Sequence, residues 1–107
     1  MIKSNQFKKI IFDEEVVYIK KTLSKKEIKY DEIEKVVINI PKYSLSNEEH
    51  HLYYYNFEFL RQNKKNENVH EMLKKNDERI NEVIDLLKSK NIEVQLVEYN
   101  NRLSGVE

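Results

Sequence analysis

The apolar pattern of the first two-thirds of the chain reads as β, with period-two alternation over Glu27 to Tyr30, Ile33 to Ile40 and Leu52 to Arg61, and changes to a helical period near residue 77. Phe7 to Phe12 and Glu15 to Lys21 are rich in β-branched and aromatic residues, and Asp13 and Glu14 between them predict a tight hairpin. Glu27 to Tyr30 reads as a short strand with Ile28 and Tyr30 on one face, interrupted by Asp31-Glu32. Ile33 to Ile40 follows as a strand with Val36, Ile38 and Ile40 on one side and Lys35, Val37 and Asn39 on the other. Pro41 ends it, because proline has no amide hydrogen to give a ladder. The most regular strand is Leu52 to Arg61. Its residues Tyr53, Tyr55, Phe57 and Phe59 point one way and are the predicted centre of the core, while Leu52, Tyr54, Asn56 and Glu58 point the other way. A turn rich in Lys and Asn covers Gln62 to Asn68.

Asp77 to Lys90 carries Ile80, Val83, Ile84 and Leu87 at the spacing of one helix face. Asp77 and Glu78 begin it and Lys88 and Lys90 end it, which suits the helix dipole. A lone helix of this length is marginal in water, so it must dock, and the aromatic sheet face is the available surface. Val69 to Lys75 admits two readings. Val69, Met72 and Leu73 fit a helix; Val69, Glu71 and Leu73 fit a strand, which the cap-like Asn76-Asp77 favours. Beyond the helix, Ile92, Val94 and Leu96 alternate with Glu93 and Gln95 in one more strand. The pattern is that of an α+β domain over residues 1–99, followed by a flexible tail over 100–107.

Composition narrows the function classes. At 107 residues the length suits one domain, and seven Tyr, four Phe and many Ile and Val separate the chain from disordered sequences despite 36% charged residues. There is no Cys, so no disulfide or thiolate metal site forms. No apolar run suits a signal peptide or a membrane-spanning helix, so a cytoplasmic location without membrane insertion is expected. One Gly, Gly105, is too few for a glycine-rich phosphate loop, which excludes Walker-type and Rossmann-type nucleotide sites. Nineteen basic and nineteen acidic residues cancel, and only Arg61, Arg79 and Arg102 are arginines, so the summed charge predicts no nucleic-acid partner. Summed charge does not reveal its distribution.

Catalytic and metal chemistry find no motif. His50 and His51 follow Glu48 and Glu49, but adjacent residues on an extended chain point to opposite faces and do not readily share an ion. A solvated loop accounts for them, and a surface position for His70. No pair among the acids stands out for general acid/base work, and Asp31, Glu32 and Glu34 read as a solvated turn. Tyr53-Tyr54-Tyr55 suggests a stacking platform, but period two leaves only Tyr54 on the far face. No catalytic residue, cofactor or metal ligand is therefore assigned.

"KIIFDEEVVYIKK" from Lys9 to Lys21, "EIKYDEIEKVVI" from Glu27 to Ile38, the aromatic strand and the late helix together resemble the bacterial pleckstrin-homology-like domains, a superfold shared with GRAM modules. The resemblance covers residues 7–90 and implies a curved antiparallel sheet or partly open barrel capped by one C-terminal helix. The strand from Ile92 departs from it: it either pairs at an open sheet edge or signals another α+β arrangement. Relatives that bind phosphoinositides carry basic residues at the first hairpin turn. Here that turn is Asp13-Glu14-Glu15, so phosphoinositide binding is not expected.

Two function classes remain. One is a non-catalytic binding or assembly module contacting another protein or itself; the other is a small enzyme or ligand-binding domain whose site has no sequence signature. The resemblance favours the first, as that superfold is mainly a recognition scaffold. Candidate partner-binding residues are Tyr43, Leu45, His50 and His51 in the loop from Pro41 to His51, and Tyr54 on the far strand face.

Overall fold

Asp13 to Glu15 reverses the chain between strands β1 (Ile10–Phe12) and β2 (Val16–Lys20), and β3 (Lys25–Lys29) returns alongside β2. This three-stranded antiparallel sheet is followed by a single 3-10 turn (Tyr30–Glu32), then β4 (Ile33–Pro41). The computed structural model describes residues 6–42 and 52–99. The second part contains β5 (Leu52–Arg61), β6 (Glu67–Lys74), helix α1 (Glu78–Ser89) and β7 (Glu93–Tyr99). These strands form a second sheet with β4, in the order β6-β5-β4-β7. The architecture is α+β, as the patterning predicts, with a strand after the helix; the two sheets do not close into a barrel.

The strand after the helix runs parallel to β4, from Lys35 opposite Glu93 to Pro41 opposite Tyr99. A parallel partner needs a crossover connection, and α1 supplies it. The helix covers the inner face of the second sheet together with the first sheet. Ile80, Val83 and Leu87 enter the same core as Ile10, Phe12, Val17, Ile28, Val36, Ile38 and the strand-five aromatics Tyr55, Phe57 and Phe59. Phe12 joins the two sheets, with ring centroids 6.3 Å from Phe57 and 6.0 Å from Phe59. Tyr53, predicted as fully inward, is only partly buried at the margin of this core.

Boundaries moved for local reasons. The first strand begins at Ile10 rather than Phe7, because Phe7 to Ile10 forms a turn closed by the Phe7 amide donating to the Ile10 carbonyl at 2.8 Å. The third strand starts at Lys25, before Glu27, and Tyr30 belongs to the 3-10 turn, though it stays buried as predicted. The segment with two readings is a strand beginning at Glu67, which shortens the preceding turn. Pro41 is the buried last residue of β4. Tyr43, Leu45, His50 and His51, with most of the loop that carries them, lie outside the described residues, as does the tail from 100 to 107.

With glycine nearly absent, asparagine takes the left-handed positions. Asn63, Asn76 and Asn91 have φ of 54°, 58° and 65° at the β5–β6 turn, the entry to α1 and its exit. At the exit, the Ile92 amide donates to the Leu87 carbonyl and the Asn91 amide to the Lys88 carbonyl, both at 3.0 Å. This Schellman-type closure lays buried Ile92 over buried Leu87. At the start, Asp77 caps the helix by accepting from the Arg79 amide at 2.9 Å. Asp77→Ala is expected to cost about 1–2 kcal/mol in urea denaturation, the usual loss for an N-cap.

Candidate functional site

Among the described residues, one acidic side chain is buried with the core. Glu71 sits between Val69 and Leu73 on the inner face of β6 and is only 3% exposed. Its carboxyl Oε2 accepts the backbone amides of Lys9 at 2.7 Å and Ile10 at 2.8 Å. It thereby ties the Phe7–Ile10 turn to the edge of the second sheet. Burial pushes its pKa above the ordinary carboxylate value and outweighs the amide donors and the nearby Lys9 charge, which pull it down. Beside it, Arg79 donates to the Gln6 carbonyl at 3.0 Å and lies over the Phe7 ring at 4.8 Å. These contacts fix Lys8 and Lys9 at the tip of the turn.

That tip belongs to a basic end of the molecule. The β1–β2 turn, at one end of the first sheet, holds Asp13, Glu14 and Glu15. The opposite end holds the Lys8-Lys9 turn and the β2–β3 hairpin with Lys20, Lys21, Lys25 and Lys26. Glu67 answers part of this charge, 2.6 Å from Lys26 and 3.6 Å from Lys21. Burial alone would raise the Glu67 pKa, but Lys26, Lys21 and Arg61 reverse this and hold it low. Lys8 and Lys20 make no ion pair among the described residues. Two clefts flank the turn. One is lined by Lys20, Lys21, Leu23 and Asn68, the other by Leu52, Tyr54 and Met72, and both share Lys8, Lys9 and His70.

On the outer face of the second sheet, Tyr54 is 38% exposed and stacks on His70, with centroids 4.6 Å apart and planes 18° apart. Of the five residues assigned to partner binding from sequence, Tyr54 is the one within the described region, and it faces outward as predicted. His70 is exposed, as expected, but it has an aromatic neighbour that sequence proximity does not show. The register that pairs Tyr54 with Met72 and Asn56 with His70 brings the two rings together diagonally.

The strand edges differ in their protection. β3 carries Lys25, Lys26 and Lys29, charges that discourage edge pairing. Next to β6 lies the Phe7–Ile10 turn, tied there by the Glu71 side chain accepting the Lys9 and Ile10 amides. β7 has no strand on its outer side among the described residues, and its centre, Gln95-Leu96-Val97, is uncharged. Leu96 there is 52% exposed.

Among the described residues no group of His, Cys, Asp or Glu could hold a metal ion, and no helix is long and apolar enough to cross a membrane. Comparison with protein-family models, with curated proteins and with solved structures gives no match for this chain.

Proposed function

We propose that this protein is a small non-catalytic assembly module that pairs with a second copy of itself through β7. The observation that carries this reading is the open β7 edge, with a half-exposed leucine at its centre and no lysine or proline to guard it. The strand is self-complementary. A two-fold axis through Leu96 in an antiparallel pairing sets Leu96 against its copy, Gln95 against Val97, Val94 against Glu98 and Glu93 against Tyr99. No like charges meet in this register. Val97 and Tyr99 lie on the outer face beside it, and the Tyr99 hydroxyl donates to the Tyr54 carbonyl at 3.1 Å, which holds that ring against the sheet. The sequence resemblance to pleckstrin-homology-like domains supports the same reading, since that superfold serves chiefly in recognition.

Size-exclusion chromatography with light scattering tests it. The wild type should be a dimer at micromolar concentration. Leu96→Lys should shift the dissociation constant at least about tenfold, because a lysine pair at the axis is repelled and solvated. At dilutions where both proteins are monomeric, their melting temperatures should agree within a few degrees. A wild type that stays monomeric at high concentration, or a Leu96→Lys protein that still dimerises normally, refutes this assignment.

A further inference from the structure

In a chain of zero net charge, Lys8, Lys9 and Lys20 lie together at one end of the fold, beside an exposed aromatic pair. We propose that this end binds single-stranded nucleic acid, with its phosphates on Lys8, Lys9 and Lys20 and a base on the Tyr54–His70 stack. The stacked pair lies on β5 and β6, toward the edge opposite β7, and meets β7 only where the Tyr99 hydroxyl reaches the Tyr54 carbonyl.

Shape favours a single strand as much as charge does. The two clefts share Lys8, Lys9 and His70, so they form one path from the outer sheet face, past the Lys8-Lys9 turn, to the β2–β3 hairpin. A flexible strand can bend from the outer sheet face round the turn to the hairpin, whereas a duplex is too stiff to do so and a flat bilayer does not meet both faces at once. A positive groove combined with aromatic side chains is how sequence-tolerant single-strand binders hold phosphates and bases together. The stacked pair leaves ring surface open to extend the stack by one base. Leu23, 95% exposed at the hairpin tip, adds an apolar contact where the lysine path ends.

The acids nearby are already engaged. Glu67 is held by Lys21 and Lys26, and Glu71 by the amides of Lys9 and Ile10, so neither projects a free carboxylate into the path. The Glu71 contacts also hold the turn in place, which presents Lys8 and Lys9 without a further ordering cost.

Fluorescence anisotropy with labelled oligodeoxythymidylate and oligouridylate tests the proposal, with a duplex of equal length and anionic phosphatidylglycerol vesicles as competitors. Binding to single strands should weaken with salt, with a log–log slope that loses about 0.7 for each phosphate contact removed. Lys8→Gln with Lys20→Gln should therefore reduce the slope by about 1.4. Tyr54→Ala should weaken binding roughly five- to hundredfold, the range for loss of one stacked base, while leaving the slope unchanged. Thermal melts establish that each variant is folded, and Leu96→Lys, which tests the other edge, should leave single-strand affinity per protomer near that of the wild type. Absence of salt-sensitive binding, unchanged affinity in folded Tyr54→Ala, or preferential binding to duplex or vesicles overturns it.

Discussion

Phe57→Ala should destabilise the fold by about 3–5 kcal/mol in urea denaturation, the range for truncating a buried aromatic. Phe57 is fully buried in the middle of β5, between Ile38 on β4 and Val69 on β6. Its ring meets Phe7 at 5.6 Å and Phe12 at 6.3 Å, so the cavity would open where the two sheets join. Domains of this size have about 5–15 kcal/mol in total, so the variant should sit close to its unfolding threshold at room temperature. Tyr54→Ala, three residues earlier on the opposite face, should cost less than about 1 kcal/mol, as exposed positions usually do. Equal losses at the two positions would mean that the β5 register is wrong, because a slip of one residue exchanges the faces.

Glu71→Ala should have an effect of similar size by a different route. The substitution leaves the Lys9 and Ile10 amides without their acceptor, at about 1–3 kcal/mol for each donor that stays buried. The Phe7–Ile10 turn should detach first, visible as faster hydrogen exchange at those two amides than in the wild type. Glu71→Gln keeps an acceptor oxygen and should cost less. The pH dependence carries a definite sign. A carboxyl whose folded pKa lies above its ordinary 4.5 binds more protons folded than unfolded in the interval between the two values. Its contribution is therefore fully present below the unfolded pKa and is lost as pH rises through the raised folded pKa. Glu67 and Asp77, both held low by cationic neighbours, act in the opposite direction and lose their contribution on acidification. Comparing wild type with Glu71→Gln across this range isolates the Glu71 part. The wild type should lose stability relative to the variant as pH rises; a constant difference would show that Glu71 is not perturbed.

Much of this molecule follows from side-chain periodicity. Strand β5 has the predicted limits, and Tyr55, Phe57 and Phe59 point inward because alternation along an extended chain is a local property of the backbone. The α1 stripe, its Asp77 cap and the strand reading of Val69, Glu71 and Leu73 follow from the same local rules. The alternation even placed Glu71 on an apolar face, a visible signal that something must receive its carboxyl. What receives it was not legible, since the Lys9 and Ile10 amides lie 62 and 61 residues away in sequence. The same limit applies to the β7 partner, because alternation says that a strand exists and not which edge it joins.

The α+β class, the inward faces and the zero net charge are readable along the chain, since each depends on neighbouring residues or on a sum. Folding alone sets β7 parallel to β4, brings Tyr54 onto His70, and gathers Lys8 and Lys9 with the lysines of the β2–β3 hairpin. Those are relations between distant segments, set by strand register and chain reversal: a total charge has no direction until folding gives each charge a place.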